Sequence, residues 1–254
     1  MDLIDSHAHL ASDDFEKDRS FLIKDLSNFG VKYVIVPSCD LEDSKKVLKL
    51  CKNEKNLYGQ VGFHPENLDS YKGGDMERLE DLAKDPKVVA IGEIGLDYYW
   101  KEDNKKEQKE IFIKQLDLAR KLDLPVVIHS RDSIDDCLEI LKDYSDLKVQ
   151  IHCFAYSHMH LMECMKRGYY ISIGGVVTFK NAENEKNAAK NVDIDKLMLE
   201  TDSPYLSPEP YRGYRNDPRR IVEVAREISN LRGMKIKKLA KKTSKNTKEF
   251  FNIR

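Results

Sequence analysis

The sequence predicts an α/β protein of the (β/α)8 TIM-barrel class, and three observations carry that prediction. Short apolar runs alternate with longer, charged segments of helical period from one end of the chain to the other, which is the pattern of βαβ units and a parallel sheet. Eight such runs fall within 254 residues, the length at which eight βα units make one barrel. Histidines and carboxylates stand where these runs end, and a barrel of this class gathers polar residues from its strand ends on one face.

Leu3 and Ile4 open the first run, which continues through Asp5-Ser6-His7-Ala8-His9-Leu10. Residues two apart on a strand point the same way, so His7 and His9 present two imidazoles side by side. Residues 13–29 read as a helix ending at Gly30, and 32–37 as a β-branched strand stopped by Pro37. Residues 40–54 form a helix with Leu41, Val47, Leu48 and Cys51 as its apolar stripe. The third strand, 57–63, is closed by His64-Pro65. A helix over 76–83 leads to the fourth strand, 87–93, and a long amphipathic helix over 102–122 follows. Strands at 125–129, 148–152, 169–173 and 197–202 alternate with helices at 133–142, 159–167 and 181–191, and helices at 218–231 and 234–251 finish the chain.

No Gly/Ser-rich or Pro-rich linker, low-complexity tract or composition break interrupts this pattern, so residues 1–254 read as one domain. A doubly wound open sheet is the competing architecture. Its Gly-x-Gly-x-x-Gly signature after the first strand is missing, and histidines stand there instead.

With 41% hydrophobic and 34% charged residues, the composition supports a sizeable core beneath a well-solvated surface. A net charge of −1 argues against a bulk electrostatic grip on nucleic acid or anionic membrane, while leaving room for a local basic patch. Five scattered cysteines without a C-x-x-C pair argue against a disulfide framework or a zinc ribbon and favour a reducing compartment. Acids stand near the N-terminus where a signal peptide needs bases, and no apolar run approaches the length of a membrane span. The expectation is a cytoplasmic protein with no membrane association and no obligate protein partner.

Five of the seven histidines, His7, His9, His64, His129 and His152, stand at strand ends together with Glu93 and Asp202. With His64 set aside, four histidines and two carboxylates suit a two-ion site better than a single catalytic zinc, which needs only three protein ligands. Glu93, flanked by Gly92 and Gly95, is the candidate bridging carboxylate; a salt-bridged or capping glutamate is the competing reading. His129 and His152, at equivalent positions on neighbouring strands, are candidate ligands, although either alone reads as a core histidine. Asp202 is placed to bind the ion held by His7 and His9 and to take a proton from the attacking water. Glu200 faces the same way by strand alternation, so one of the two is buried support. His64 fits a supporting donor or a substrate-phosphate contact better than a ligand. Cys153 reads as a small packed residue. After Asp202, Arg212 and Arg215 with Asn216, Tyr205 and Tyr214 could grip phosphate and stack on a base; a structural loop with arginine salt bridges is the alternative. The basic stretch 235–245 reads as the solvated face of a helix.

The runs Asp5-Ser6-His7-Ala8-His9-Leu10, Gly92-Glu93-Ile94-Gly95-Leu96-Asp97-Tyr98-Tyr99, His129-Ser130-Arg131, His152-Cys153-Phe154, Glu200-Thr201-Asp202-Ser203-Pro204-Tyr205-Leu206 and Arg212-Gly213-Tyr214-Arg215-Asn216 stand in this order. Together they resemble the TatD family of metal-dependent deoxyribonucleases, among the amidohydrolase-like barrels. The resemblance runs from Asp5 to the last helix. It implies a distorted TIM barrel with two divalent cations, one held by His7, His9, Glu93 and Asp202 and the other by Glu93, His129 and His152, with His64 and Arg131 facing substrate. Two departures touch no ligand: Ala155-Tyr156 follows the His152 motif where many relatives carry Ser-Gly, and Tyr214 stands where lysine or glutamine is common.

The expected activity is hydrolysis of DNA phosphodiester bonds by a metal-activated water, with a single strand or strand end as substrate and exonucleolytic action. The candidate cations are zinc, manganese, magnesium and nickel, and imidazole ligands favour zinc, manganese, nickel or iron over an all-oxygen magnesium cage. Two rivals stand beside it. One is an ester or amide hydrolase on the same centre, such as a D-aminoacyl-tRNA deacylase; the other is a non-catalytic binding barrel.

Overall fold

A computed structural model of the chain describes residues 1–100 and 103–253. Its eight strands are β1 (Leu3–Asp5), β2 (Val31–Val36), β3 (Leu57–Val61), β4 (Val88–Asp97), β5 (Val126–Arg131), β6 (Val149–Ile151), β7 (Tyr170–Ile173) and β8 (Leu197–Leu199). They take chain order in one eight-stranded sheet. The helices between and after them are α1 (Arg19–Asp25), α2 (Leu41–Asn53), α3 (Asp75–Ala83), α4 (Lys105–Leu122), α5 (Ile134–Ile140), α6 (His158–Lys166), α7 (Glu183–Asn191), α8 (Ile221–Leu231) and α9 (Ile236–Phe250). Strand order and alternation are those of the (β/α)8 class. Among the described residues, no helix is long and apolar enough to cross a membrane.

The chain divides into two compact units, residues 1–36 with 153–254, and residues 37–152. In the first, β1 pairs with β2 and β7 with β8, all parallel. Beyond β1 the backbone runs beside the continuation of β8: Ser6 N donates to Leu199 O at 2.9 Å, and Ala8 bridges Ser203. Apolar side chains of this unit, among them Leu3, Ile171, Ile173, Leu197 and Leu199, are buried. Helix α9 adds Leu239, Ala240 and Phe250 on one face and leaves Lys237, Lys238, Lys241 and Lys245 exposed on the other, as an amphipathic surface helix must.

In the second unit β3, β4, β5 and β6 pair in sequence, again parallel. Every residue of β4 is buried, the near-continuous apolar reading expected of a strand covered on both faces. Asp40 caps α2 by accepting from Asp43 N at 2.8 Å, a side-chain acceptor for one of the helix's unpaired N–H groups.

Among the boundaries that differ from the sequence reading, four have a clear local reason. Residues 13–29 are not one helix but a 3-10 turn (Asp13–Phe15), α1 and a second 3-10 turn (Leu26–Phe29). Ser12 Oγ tightens the first turn by accepting from Asp14 N, and the second closes at Gly30, whose φ of 76° suits glycine. Strand β4 runs on to Asp97, because after a register shift Gly95, Leu96 and Asp97 pair with His129, Ser130 and Arg131. Strand β8 stops at Leu199, because Thr201 N turns to the Asp5 carboxylate at 3.0 Å instead of to a strand. Strand β1 stops at Asp5, so His7 and His9 lie beyond it. The expected helix start at Glu102 lies outside the described residues.

Candidate metal centre

The first unit brings His7, His9 and Asp202 together. His9 Nε2 stands 3.5 Å and His7 Nε2 3.9 Å from Asp202 Oδ1, and the donor atoms of all three lie within 4.8 Å of one another. The segment that carries them is irregular, and side chains hold it in place. Asp5, fully buried, accepts from His7 N and Thr201 N on Oδ1 and from the Thr201 hydroxyl on Oδ2. Burial pushes the Asp5 carboxyl well above its usual range, against these hydrogen bonds. His7 O accepts from Asp202 N at 2.9 Å and His9 N donates to Ser203 O at 2.7 Å, which fixes both ends of the cluster to each other. The Asn216 amide then latches the following loop, donating to Thr201 O and Tyr205 O.

Glu200 resolves as the buried support. It accepts from Cys153 N on one oxygen and from Ser172 Oγ on the other, both at 2.6 Å. Asp202, at φ 54°, turns the other way, into a left-handed conformation that aspartate tolerates, and its side chain keeps 14% of its surface exposed.

The second unit centres on Glu93. Its Oε1 stands 2.8 Å from His129 Nδ1, 2.8 Å from His152 Nε2 and 3.5 Å from His64 Nε2. Strand β4 places Glu93, Gly95 and Asp97 on one face. A side chain at Gly95 would collide with the His129 carbonyl, and one at Gly92 with Gln60 and Val127. The two glycines therefore let β4 approach β5 closely enough for Glu93 to meet His129. Asp97, 1% exposed, takes the other ring nitrogen, with Oδ2 2.8 Å from His129 Nε2.

Helix α4 positions both flanks of this group. Gln108 and Gln115, seven residues and two turns apart, lie on one buried face of α4. Gln108 exchanges hydrogen bonds with Asp97 N and O, and Gln115 does the same with Phe63, the residue before His64. His64 Nδ1 accepts from Glu66 N at 3.2 Å. In the neutral ring that leaves the proton on Nε2, the nitrogen that faces Glu93, which makes His64 a donor there.

Electrostatics follow from these contacts. Burial works to lower the His129 pKa, and hydrogen bonds to Asp97 and Glu93 outweigh it, so the ring stays above its ordinary value. Burial pushes Asp97 up, but its bonds to His129 prevail and hold it below the usual carboxylate range. Glu66 is raised by burial and by the Asp97 charge. Glu66, Asp97 and His129 form a further group with donor atoms within 4.8 Å.

Both groups fit a divalent cation. Imidazole nitrogens and carboxylate oxygens are the donors that borderline cations take, and atoms sharing an ion at 2.0–2.2 Å stand roughly 3 Å apart. The spacings around Glu93 match that figure, and those around Asp202 are a little wider.

Arg131, two residues past His129 on β5, is exposed with its guanidinium 3.9 Å over the Tyr99 ring. The loop arginines part company. Arg212 stacks at 3.9 Å on Phe179 and lines an open pocket of about 450 Å³ with Leu206, Ser207 and Tyr214. Arg215 also borders that pocket, yet it is engaged: it pairs with both Asp18 oxygens, donates to Asp14 O and covers Phe15. The residues missed by the strand-end reading are Asp5, Asp97, Gln108 and Gln115. Alternation from Glu93 marks Asp97 only once β4 is carried past Glu93, whereas nothing local in the sequence marks the two glutamines, whose partners lie 11 and 52 residues away.

Comparison with known proteins agrees with this architecture. The family model described as TatD related DNase matches residues 4–252. The uncharacterized metal-dependent hydrolase YabD of Bacillus subtilis is 37% identical, over 99% of both chains. The 3'-5' ssDNA/RNA exonuclease TatD of Shigella flexneri is 30% identical, also over 99% of both. Among solved structures, YjjV, a TatD homolog from Escherichia coli K12, superposes with a TM-score of 0.94 at 30% identity, covering 99% of this chain and 98% of its own. Matched along nearly its whole length in sequence and in fold, the chain belongs to the TatD-related family of metal-dependent hydrolases.

Proposed function

We propose that the chain is a metal-dependent nuclease that removes nucleotides from the end of a single DNA strand by phosphodiester hydrolysis. The observation that carries this reading is the Glu93 carboxylate oxygen set among three imidazole nitrogens at 2.8, 2.8 and 3.5 Å. A second group of the same chemistry, His7, His9 and Asp202, stands in the other unit. The naming of the Shigella flexneri relative as a single-strand exonuclease supports the choice of substrate.

In this reading His7, His9 and Asp202 hold one divalent cation, and Glu93, His129 and His152 hold another. Zinc, manganese or nickel suits the imidazole-rich donors better than magnesium. Bound cations supply Lewis-acid charge for the phosphate oxygens and acidify the attacking water. The residues do the rest. Asp202, partly exposed, accepts the proton released in the attack. His64 donates from Nε2, and Arg131 and Arg212 offer guanidinium donors to the phosphodiester backbone. Arg215 acts on substrate only if its ties to Asp18 open.

End-labelled single-stranded DNA tests the proposal, with single-stranded RNA and an aminoacyl ester run in parallel. Stepwise shortening that requires added metal and disappears in Glu93→Ala and Asp202→Asn is the expected result. Ester hydrolysis by folded, metal-loaded protein that leaves DNA intact would overturn it in favour of the ester hydrolase.

A further inference from the structure

Three aromatic residues follow Asp97 in succession, and they part in direction. Tyr98 is buried, with its hydroxyl donating to Asp136 at 2.6 Å. Tyr99 and Trp100 turn outward, 54% and 61% exposed. Large exposed aromatics side by side are unusual on a protein surface without a use. These two are also fixed. Their rings meet edge to face with centroids 4.7 Å apart. The Arg131 guanidinium lies 3.9 Å over Tyr99 and 5.4 Å from the Trp100 centroid. Their backbone N–H groups both donate to Asp97 Oδ1, at 2.9 and 3.2 Å, while Asp97 Oδ2 contacts His129. One buried carboxylate therefore ties the aromatic pair to the Glu93 group.

We infer that Tyr99, Trp100 and Arg131 form a nucleobase-stacking subsite that seats one base of the substrate strand beside the Glu93 group. The inference rests on the nucleic-acid reading above and adds the residues that grip the base. An exposed indole offers a face that any base can stack on, and a guanidinium alongside it serves a phosphate without demanding a sequence. Because Asp97 anchors the pair, the stacked base keeps a fixed distance from the donors. Such a subsite binds unpaired bases and rejects a paired duplex, whose bases have no free face.

Trp100 is the chain's only tryptophan, so its emission reports this subsite alone. The test titrates metal-loaded full-length protein with a labelled oligothymidine whose phosphorothioate linkages resist hydrolysis, following tryptophan emission and label anisotropy together. A series with one abasic nucleotide moved along the strand completes it. Expected are quenching on binding, and a Kd raised about tenfold when the abasic position falls on one or two nucleotides near the bound end. Trp100→Ala should cost a similar factor, and Trp100→Phe should restore most of it. Binding with unchanged emission, or equal affinity for every abasic oligonucleotide, would overturn the subsite while sparing the nuclease reading. No binding of any oligonucleotide by anisotropy would overturn both.

Discussion

The two donor groups use the same side-chain chemistry on different backbones. The Glu93 group stands mainly on β4 and β5, strands that pair on either side of a register shift at Glu93, and its carboxylate already meets two imidazoles at 2.8 Å. The group of His7, His9 and Asp202 stands beyond the ends of β1 and β8, on backbone held by Asp5, Thr201 and Asn216, with its donors at 3.5 and 3.9 Å. A ring nitrogen that donates to a carboxylate must give up its proton before it can ligate, so the metal uptake proposed for the Glu93 group would be coupled to pH. The other group depends instead on the side chains that shape its loop. A strand-built site is rigid and proton-coupled; a loop-built site is only as firm as its anchors.

Removing the shared oxygen tests the first half of the comparison most severely. Glu93→Ala takes away the acceptor that His129 and His152 share at 2.8 Å. The expected outcome is loss of the cation assigned to the Glu93 group with the circular dichroism spectrum intact, and a fall in nuclease rate on the order of a thousandfold. Metal analysis sharpens the result. Loss of one equivalent confines Glu93 to its own group, whereas loss of two is what a bridging carboxylate requires. Full metal content with normal turnover would remove Glu93 from the centre.

Asp97→Asn makes a smaller and more selective change. The carboxylate that receives His129 Nε2 becomes a neutral amide, so the ring is less firmly oriented and Nδ1 less basic. Metal affinity of the Glu93 group should fall about 10- to 100-fold, while the His7 group, measured in a Glu93→Ala background, should bind as before. The pH dependence has a definite sign. Burial lowers the His129 pKa, but Asp97 and Glu93 together raise it above the ordinary imidazole value of about 6.5. In metal-free protein the stabilisation from these pairs is therefore complete below about pH 6.5 and is lost as pH rises through the raised value. Metal affinity moves oppositely and strengthens across that window. Calorimetric titrations from pH 6 to 9 and melting curves of metal-free protein should show both trends, shifted to lower pH in Asp97→Asn. A flat affinity profile would break the link between pairing and metal uptake.

The same contrast explains what could be read from the sequence. The alternation of apolar runs made the fold legible, and the ends of those runs marked His7, His9, His64, Glu93, His129, His152 and Asp202 without knowledge of their partners. Asp97 escaped because β4 was read as ending at Glu93; only its pairing with β5 carries it four residues further. Gln108 and Gln115 escaped because a buried glutamine on a helix face looks like any polar residue until its backbone partner is known. Glu200 and Asp202 stayed equivalent under strand alternation, since the left-handed turn at Asp202 that separates them leaves no mark in the pattern. Arg212 and Arg215 looked alike for a related reason: ion pairing with a residue almost two hundred positions away is invisible locally.

That last pair yields the smallest expected effect and bears on the loop-built group. Arg215 ties the loop after Asp202 to Asp18, in the segment that follows His9. The Arg215 hydrogen bond and charge hold the Asp18 carboxyl below its usual range. A depressed carboxylate contributes stability above its unfolded pKa of about 3.9 and loses it as pH falls further. The Asp18 side chain is 40% exposed, so screening limits the pair to about 0.5 kcal/mol. Asp18→Asn should lower stability by about that amount at pH 7, with the difference from wild type shrinking as pH falls below about 4, in urea melts followed by circular dichroism. It also frees Arg215. If the guanidinium is only a strut, KM for single-stranded DNA stays within about twofold of wild type, and this is the outcome expected from the contacts it keeps, with Asp14 O and over Phe15. A marked drop in KM would show instead that Asp18 had been competing with phosphate for Arg215, and the loop-built group would then be one that substrate itself can tighten.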